Sequence, residues 1–252
     1  MNFEKYSYYY DLLYKDKNYE AEADYVKTKL LQQKQNIKTI LEFGSGTGRH
    51  AKLLAKRGFE MCGVERSQTM IEKARAEMED FGPLSTQFKQ GDIRSVRIGK
   101  KFDAVIALFH VLSYQTSNAD ALAMLETAAI HLETGGILLF DCWYGPAVLT
   151  DRPETRVKHV EDDTVEVIRI AEPVMFPNQN KVEVHYKLLA IEKSSSTIQQ
   201  ISEIHPMRYY FLPEIELMLE SSGFKLSSKE NWLDSENLGL STWNSTFIAE
   251  KQ

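Results

Sequence analysis

A short apolar run, Thr39-Ile40-Leu41-Glu42-Phe43, passes straight into Gly44-Ser45-Gly46-Thr47-Gly48, and Arg49 to Arg57 then has helical spacing up to Gly58. Such a chain must turn sharply between a strand and a helix, with backbone that a ligand can approach free of Cβ atoms. The alternation continues. Phe59 to Glu65 reads as a second strand, and Gln68 to Asp80 as a helix capped by Ser67, with Met70, Ile71, Ala74 and Met78 on one side. Gln87 to Gln90 is a third strand, and Phe102 to Phe109 is a continuous apolar run, as in a strand covered on both faces. Asn118 to Leu132 has helical spacing up to Gly135-Gly136, and Ile137 to Asp141 is a fifth strand. This rhythm predicts an α/β fold with a parallel, doubly wound sheet.

After Tyr144 the pattern changes. From Arg156 to Tyr210 polar and apolar residues alternate in long runs, broken by turn chemistry at Pro177-Asn178-Gln179-Asn180 and Ser194-Ser195-Ser196. This is an antiparallel β insert of three or four strands with one wet face. Helical spacing returns over Pro213 to Ser222, and strands over Phe224 to Ser228 and Ser245 to Glu250 complete the sheet. The expected division is an N-terminal helical cap (1–36, with a helix over Glu20 to Gln32), a sheet domain (37–148 and 211–252) and the insert (149–210), which lies between strand five and the last helix.

Thirty Lys and Arg against 36 Asp and Glu give 252 residues a net charge of −6, with no cluster of basic and aromatic residues of the kind that grips nucleic acid. A small-molecule partner is expected, and no nucleic acid. Cys62 and Cys142 sit in apolar runs and read as buried free thiols of a reducing compartment. The start, Met1-Asn2-Phe3-Glu4-Lys5, lacks a signal-peptide run, and no apolar run is long enough to span a bilayer, so a cytoplasmic protein without a membrane partner is expected. The six histidines show no metal-ligand spacing, and there is no G-x-S-x-G elbow.

Three acids fall at successive strand ends, where open α/β sheets bind ligands. Glu42, before the glycine loop, would repel the pyrophosphate of a dinucleotide but suits the ammonium and sulfonium charges of S-adenosylmethionine. The spacing G-x-G-x-G, rather than G-x-G-x-x-G/A, points the same way. Glu65 stands where it can accept from a ribose diol, with bonds to a charged acceptor worth roughly 1.5–3 kcal/mol. In Gly91-Asp92-Ile93, Asp92 can accept from an adenine amino group and Ile93 can pack on the ring. Glu65 or Asp92 alone also reads as a surface acid or helix cap, and Gly44 alone as an ordinary strand-to-helix turn; their order carries the cofactor reading.

Glu42 to Gly48, Glu65, Asp92 and Phe102-Asp103-Ala104-Val105-Ile106 resemble, over residues 37 to 142, the motifs of class I S-adenosylmethionine-dependent methyltransferases in their usual order. The resemblance implies a Rossmann-like seven-stranded sheet with a reversed final strand, which Ser245 to Glu250 can supply. Enzymes that methylate base amino groups carry an Asp/Asn-Pro-Pro-aromatic motif after the fourth strand; here Ala107-Leu108-Phe109-His110 stands instead. Four further patches resemble bacterial nucleotide-aminosugar N-methyltransferases. They are Tyr10-Asp11-Leu12-Leu13-Tyr14 with Lys17-Asn18-Tyr19, Trp143-Tyr144-Gly145-Pro146, Glu183-Val184-His185-Tyr186 and Glu203-Ile204-His205-Pro206-Met207-Arg208. In the last patch Pro206-Met207-Arg208-Tyr209 departs from a mostly aliphatic run, and Asn237 to Ser241 matches a Gly-rich ending only loosely.

The expected cofactor set is Tyr10, Tyr19, Glu42, Gly44, Ser45, Gly46, Gly48, Glu65, Arg66, Asp92, Ile93 and Phe109. For the acceptor, the resemblance implies an amino sugar joined to a nucleotide; another small amine, carboxylate or hydroxyl metabolite, or a non-catalytic binding module, stays open. It puts Tyr114 beside the reacting amine, with His110 as an alternative proton acceptor or an adenine-packing group. Tyr6, Trp143, His185, His205 and Arg208 are the expected acceptor-lining residues. A free edge on the insert is compatible with a homodimer.

Overall fold

The computed structural model describes residues 6–79 and 86–252. Five parallel strands lie in the order β3 (Thr86–Gln90), β2 (Glu60–Glu65), β1 (Thr39–Phe43), β4 (Phe102–Ala107) and β5 (Leu132–Tyr144). β11 (Asn244–Lys251) runs antiparallel to β5, and β10 (Phe224–Asn231) pairs antiparallel with β11. These seven strands with one reversed member are the expected doubly wound sheet. Leu41, Phe43, Val105, Leu138 and Phe140 pack on one face against α5 (Asn118–Ile130) and α7 (Leu212–Ser221). Ile40, Ala104, Ile106 and Leu139 pack on the other against α2 (Tyr19–Gln33), α3 (Arg49–Lys56) and α4 (Gln68–Glu79). Burial on both faces explains why the central strands read as unbroken apolar runs. The expected end of α4 at Asp80 lies outside the described residues.

The insert holds four antiparallel strands, β6 (Arg156–Glu161), β7 (Val165–Phe176), β8 (Lys181–Glu192) and β9 (Ile198–Tyr210), paired in sequence order. The insert is not a separate sheet. At its end β9 pairs in parallel with the end of β5, Trp143 opposite Tyr209 and Tyr144 opposite Tyr210, so all eleven strands form one sheet. The Tyr210 hydroxyl reinforces this junction by donating to the Gln115 carbonyl at 2.6 Å.

Helix α1 (Tyr6–Leu13) lies across both halves. Tyr6 and Leu13 bury against Val160, Val167, Leu188 and Ile201 of the insert, and Lys158 Nζ donates to the Leu13 carbonyl at 2.6 Å. Toward the parallel sheet, Asp11 Oδ1 accepts from Thr47 Oγ1 and Arg49 Nε, each at 2.9 Å, and Lys73 Nζ donates to the Ser7 carbonyl at 2.8 Å.

Two local features differ from the sequence reading. α5 ends at Ile130, and Gly135-Gly136 lie inside β5, where the register on β4 jumps from Phe102–Leu132 to Ala104–Ile137. The glycines thus serve an irregular strand start rather than a helix stop. A short helix, α6 (Gly145–Thr150), with Pro146 in its first turn, stands where only a break was expected. Cys62 and Cys142 are free and buried, and no helix among the described residues is long and apolar enough to cross a membrane.

Gly48 caps α3 at φ +77°, and a Cβ there would stand 2.7 Å from Phe88 Cζ and 3.0 Å from Ala74 Cβ. Gly48→Ala is therefore expected to cost about 1–3 kcal/mol of stability. Urea unfolding measures it, and a change below about 0.3 kcal/mol would contradict this packing.

Candidate active site

A cavity of about 700 Å³ runs from the glycine loop, past the exit of β4, to the inner face of the insert. The loop end is built by β1 and β2. The Gly44 and Ser45 amides donate to the Val64 carbonyl at 2.8 and 3.1 Å, which folds the loop back over β2. Gly44 has φ +67°, and a Cβ would meet Val111 Cγ2 at 2.5 Å, so the chain passes here only as glycine. Glu65 is held at the cavity wall by three backbone amides: Oε2 accepts from Gly46 at 3.0 Å, and Oε1 accepts from Arg66 and Ser67 at 2.8 Å each. A carboxylate so oriented can take a further hydroxyl donor with little reorganisation. Asp92 is engaged differently. Arg94 clasps it through Nε and Nη2 at 2.9 and 2.6 Å, and the third guanidinium nitrogen reaches Asp120 at 2.5 Å. This pairing holds the Asp92 carboxyl below its ordinary value despite partial burial; an adenine amino group would have to share it with the guanidinium.

Glu42 is buried behind the loop and does not line the cavity. Its Oε1 lies 3.8 Å from His50 Nδ1, and His50 Nε2 lies 2.7 Å from Glu22, which also pairs with Lys17. Glu42 Oε2 has no hydrogen-bond partner among the described residues.

The middle of the cavity is the exit of β4. Phe109 and His110 both adopt left-handed φ, +64° and +66°, a conformation that costs non-glycine residues energy unless the surroundings hold it. Buried Asp141 of β5 does so: its Oδ1 accepts from the His110 amide at 3.0 Å, and its Oδ2 lies 3.0 Å from His110 Nδ1. The short 3₁₀ turn Leu112–Tyr114 then carries Tyr114 to the insert, where its hydroxyl lies 3.3 Å from His205 Nδ1. Burial raises the Tyr114 phenol well above its ordinary value.

Strand alternation decides which insert residues face inward. On β8, Val184 and Tyr186 line the cavity, whereas His185 points away toward Glu183 Oε2 at 3.6 Å. On β9, His205 and Met207 line it. Arg208 has the opposite phase: it pairs with Glu214, stacks over Tyr210 at 4.7 Å, and leaves Glu214 to accept from the Phe211 amide at 3.3 Å at the start of α7. Arg208 is thus engaged in joining β9 to α7. On β7, Arg169 faces inward with Ala171 and Pro173. Its Nη1 reaches the Tyr6 and Tyr14 hydroxyls at 3.5 Å each, and its buried Nε has no hydrogen-bond partner among the described residues. Arg156, Trp143 and Trp243 line the outer part.

Of the expected residues, Tyr6, Tyr10, Tyr19, Gly44, Ser45, Gly46, Glu65, Arg66, Asp92, Ile93, Phe109, His110, Tyr114, Trp143 and His205 line this one cavity. Glu42, Gly48, His185 and Arg208 stand outside it. The sequence reading missed Tyr14, Asp141, Arg169, Tyr186 and Glu203. For Tyr186 and Arg169 a signal existed: each shares its strand phase with buried neighbours, Val182 and Val184 for the first, Val167 and Ala171 for the second. Among the described residues no group of His, Cys, Asp or Glu could hold a metal ion.

Residues 40–136 match the family model for the methyltransferase domain. The chain is 26% identical over 223 residues to the dTDP-3-amino-3,4,6-trideoxy-α-D-glucopyranose N,N-dimethyltransferase of Streptomyces venezuelae, covering 88% of this chain and 90% of that one. Its fold superimposes on an S-adenosylmethionine-dependent methyltransferase from Clostridium acetobutylicum with a TM-score of 0.82 at 19% identity, over 99% and 98% of the two chains. With Streptomyces venezuelae DesVI the TM-score is 0.81 at 23% identity, over 98% of each.

Burial pushes the Glu42 carboxyl up to about 8, and the Glu65 charge adds to the effect. The folded value exceeds the unfolded one of about 4.3, so the folded chain binds more protons between the two, and stability falls as pH rises through this window. Glu42→Gln keeps the shape and removes the titration. Its unfolding midpoint is expected to exceed that of the wild type by a margin that grows from about pH 5 to about pH 8; a margin that does not change with pH would remove Glu42 as the cause.

Proposed function

We propose that this methyltransferase transfers a methyl group from S-adenosylmethionine to the amino nitrogen of a deoxy amino sugar carried on a nucleoside diphosphate. The observation that carries the acceptor class is Arg169. A guanidinium turned into the insert end of the cavity, with no carboxylate paired to it among the described residues, is suited to an anion. Arg156 lines the same end, and Trp143 and Trp243, 5.6 Å apart edge to face, offer a surface on which a base can stack. A diphosphate between sugar and nucleoside meets these groups in one elongated ligand. The Streptomyces venezuelae relative, a dTDP-amino-sugar N,N-dimethyltransferase, supports the same class.

For the donor, the residues fit. Glu65 would hold the ribose diol, Ile93 would cover the adenine, the Gly44–Gly46 loop would admit the methionine portion, and Tyr10 and Tyr19 would close over it. The donor supplies an electrophilic methyl on a sulfonium, which the amine lone pair attacks in line. The chain aligns and encloses the two reactants. Correct placement alone can contribute roughly 7–11 kcal/mol. Helix α1 helps exclude water, since Tyr6, Tyr10 and Tyr14 form one wall of the cavity.

Two measurements separate donor from acceptor. Glu65→Ala is expected to weaken S-adenosylhomocysteine binding in calorimetry at least tenfold, about 1.4 kcal/mol; an unchanged affinity removes Glu65 from the ribose site. Arg169→Met is expected to raise KM for dTDP-3-amino-3,4,6-trideoxyglucose at least tenfold while leaving S-adenosylhomocysteine binding unaltered. Turnover of simple amines with no turnover of any nucleotide-linked amino sugar would overturn the acceptor class.

A further inference from the structure

A sugar ammonium must lose a proton before its nitrogen can attack, and the cavity must send that proton somewhere. We infer that Tyr114, His205 and Glu203 form a proton relay from the acceptor amine, an inference that rests on the amino-sugar reading above. The Tyr114 hydroxyl lies 3.3 Å from His205 Nδ1, and His205 Nε2 lies 3.1 Å from Glu203 Oε2. Glu203 is itself tethered, its Oε1 accepting from the Tyr6 amide at 3.1 Å. A carboxylate can only accept, so it selects the tautomer with the proton on Nε2. That leaves the Nδ1 lone pair aimed at the Tyr114 hydroxyl, which can then donate to the histidine while its oxygen accepts from the substrate ammonium.

The step balances. The ammonium N–H bond breaks and its proton joins the Tyr114 oxygen, while the Tyr114 O–H proton passes to His205 Nδ1. The phenol ends neutral, the amine is free to attack, and the positive charge rests on an imidazolium beside Glu203. The proton returns to water after product release. This resembles the division of labour in a hydroxyl–imidazole–carboxylate triad, with the current of protons directed away from the substrate. Tyr114 touches the substrate, while His205 and Glu203 act through it and are positioning residues.

The surroundings favour a relay over a lone base. Burial keeps the Tyr114 phenol protonated far above neutrality, so it cannot hold the proton as phenolate chemistry would require. Burial lowers His205, and Glu203 counters that by hydrogen bond and charge. Among the described residues the other titratable groups near this pair include Tyr6, Tyr10 and Tyr14 on the α1 side, Tyr186 on β8, and Glu65 on β2. The His205 ring packs against Tyr186 edge to face at 4.8 Å, against Tyr6 at 5.4 Å and against Tyr114 at 6.0 Å.

Nitrogen-15 NMR of histidine-labelled protein reads the wiring without any acceptor: a neutral His205 protonated on Nε2 is expected, and a proton on Nδ1 overturns the relay. Kinetics with dTDP-3-amino-3,4,6-trideoxyglucose then read its use. His205→Gln is expected to lower kcat about a hundredfold near neutral pH with KM changed less than about twofold, and Glu203→Gln about tenfold. Both losses are expected to shrink as pH rises past the pKa of the free amine, because a neutral amine needs no relay. A loss that is the same at every pH reports structural damage and sinks the inference. Wild-type protein that turns over no amino sugar brings down the acceptor reading instead, and the tautomer still decides the relay.

Discussion

Two residue pairs, Trp143–Tyr209 and Tyr144–Tyr210, join an antiparallel insert to the end of a parallel sheet, and the cavity depends on that junction. The parallel strands deliver their loops to the carboxyl edge, as open α/β sheets must. The insert leaves that same edge, so its inner face overhangs the loops instead of lying beside them. Helix α1 closes the remaining side, buried against the insert through Tyr6 and Leu13 and tied to the glycine loop through Asp11. Without the junction the sheet would offer only an open crevice. With it, one continuous cavity reaches from Glu65 to Arg169.

Charged groups line that space at both ends, Arg49, Arg66 and Arg94 with the acids near the loop and Glu154 beside Arg156 near the insert. Carboxylates gather at the loop end, where Glu65 is oriented by three amides and Asp92 is held by Arg94. At the insert end Arg169 faces inward among tyrosines. A cationic sulfonium donor suits the first environment and a diphosphate the second. Between them lies the backbone of Phe109 and His110, held in the left-handed region by Asp141. Costly backbone of this kind clusters at active sites, and here it stands midway along the cavity.

The sheet was legible because both periodicities are strong. Unbroken apolar strands such as Phe102 to Ala107 alternate with amphipathic helices, and the insert alternates residue by residue. The glycine loop with Glu65 and Asp92 was legible because its parts follow successive strand ends. Less legible were features created by contacts distant in sequence. Arg94's hold on Asp92 depends on how the chain bends after β3, and the Asp141–His110 contact depends on neighbouring strands. His185 and Arg208 show a further limit. Each belongs to a patch whose residue types suit binding, but the strand phase turns each away from the cavity, and only the phase of Val184 or Met207 reveals this. Gly135-Gly136 misled for another reason: glycine ends helices and loosens strands alike.

On the proposed function, a single cavity receives both the donor nucleoside and the acceptor nucleotide. A crystal structure with S-adenosylhomocysteine and dTDP-3-amino-3,4,6-trideoxyglucose tests it most directly. The account requires the thioether nucleoside against Glu65 and Ile93, the diphosphate within hydrogen-bond reach of Arg169, and the sugar nitrogen beside Tyr114. A nucleotide seated elsewhere on the protein, with the insert end of the cavity empty, would contradict it.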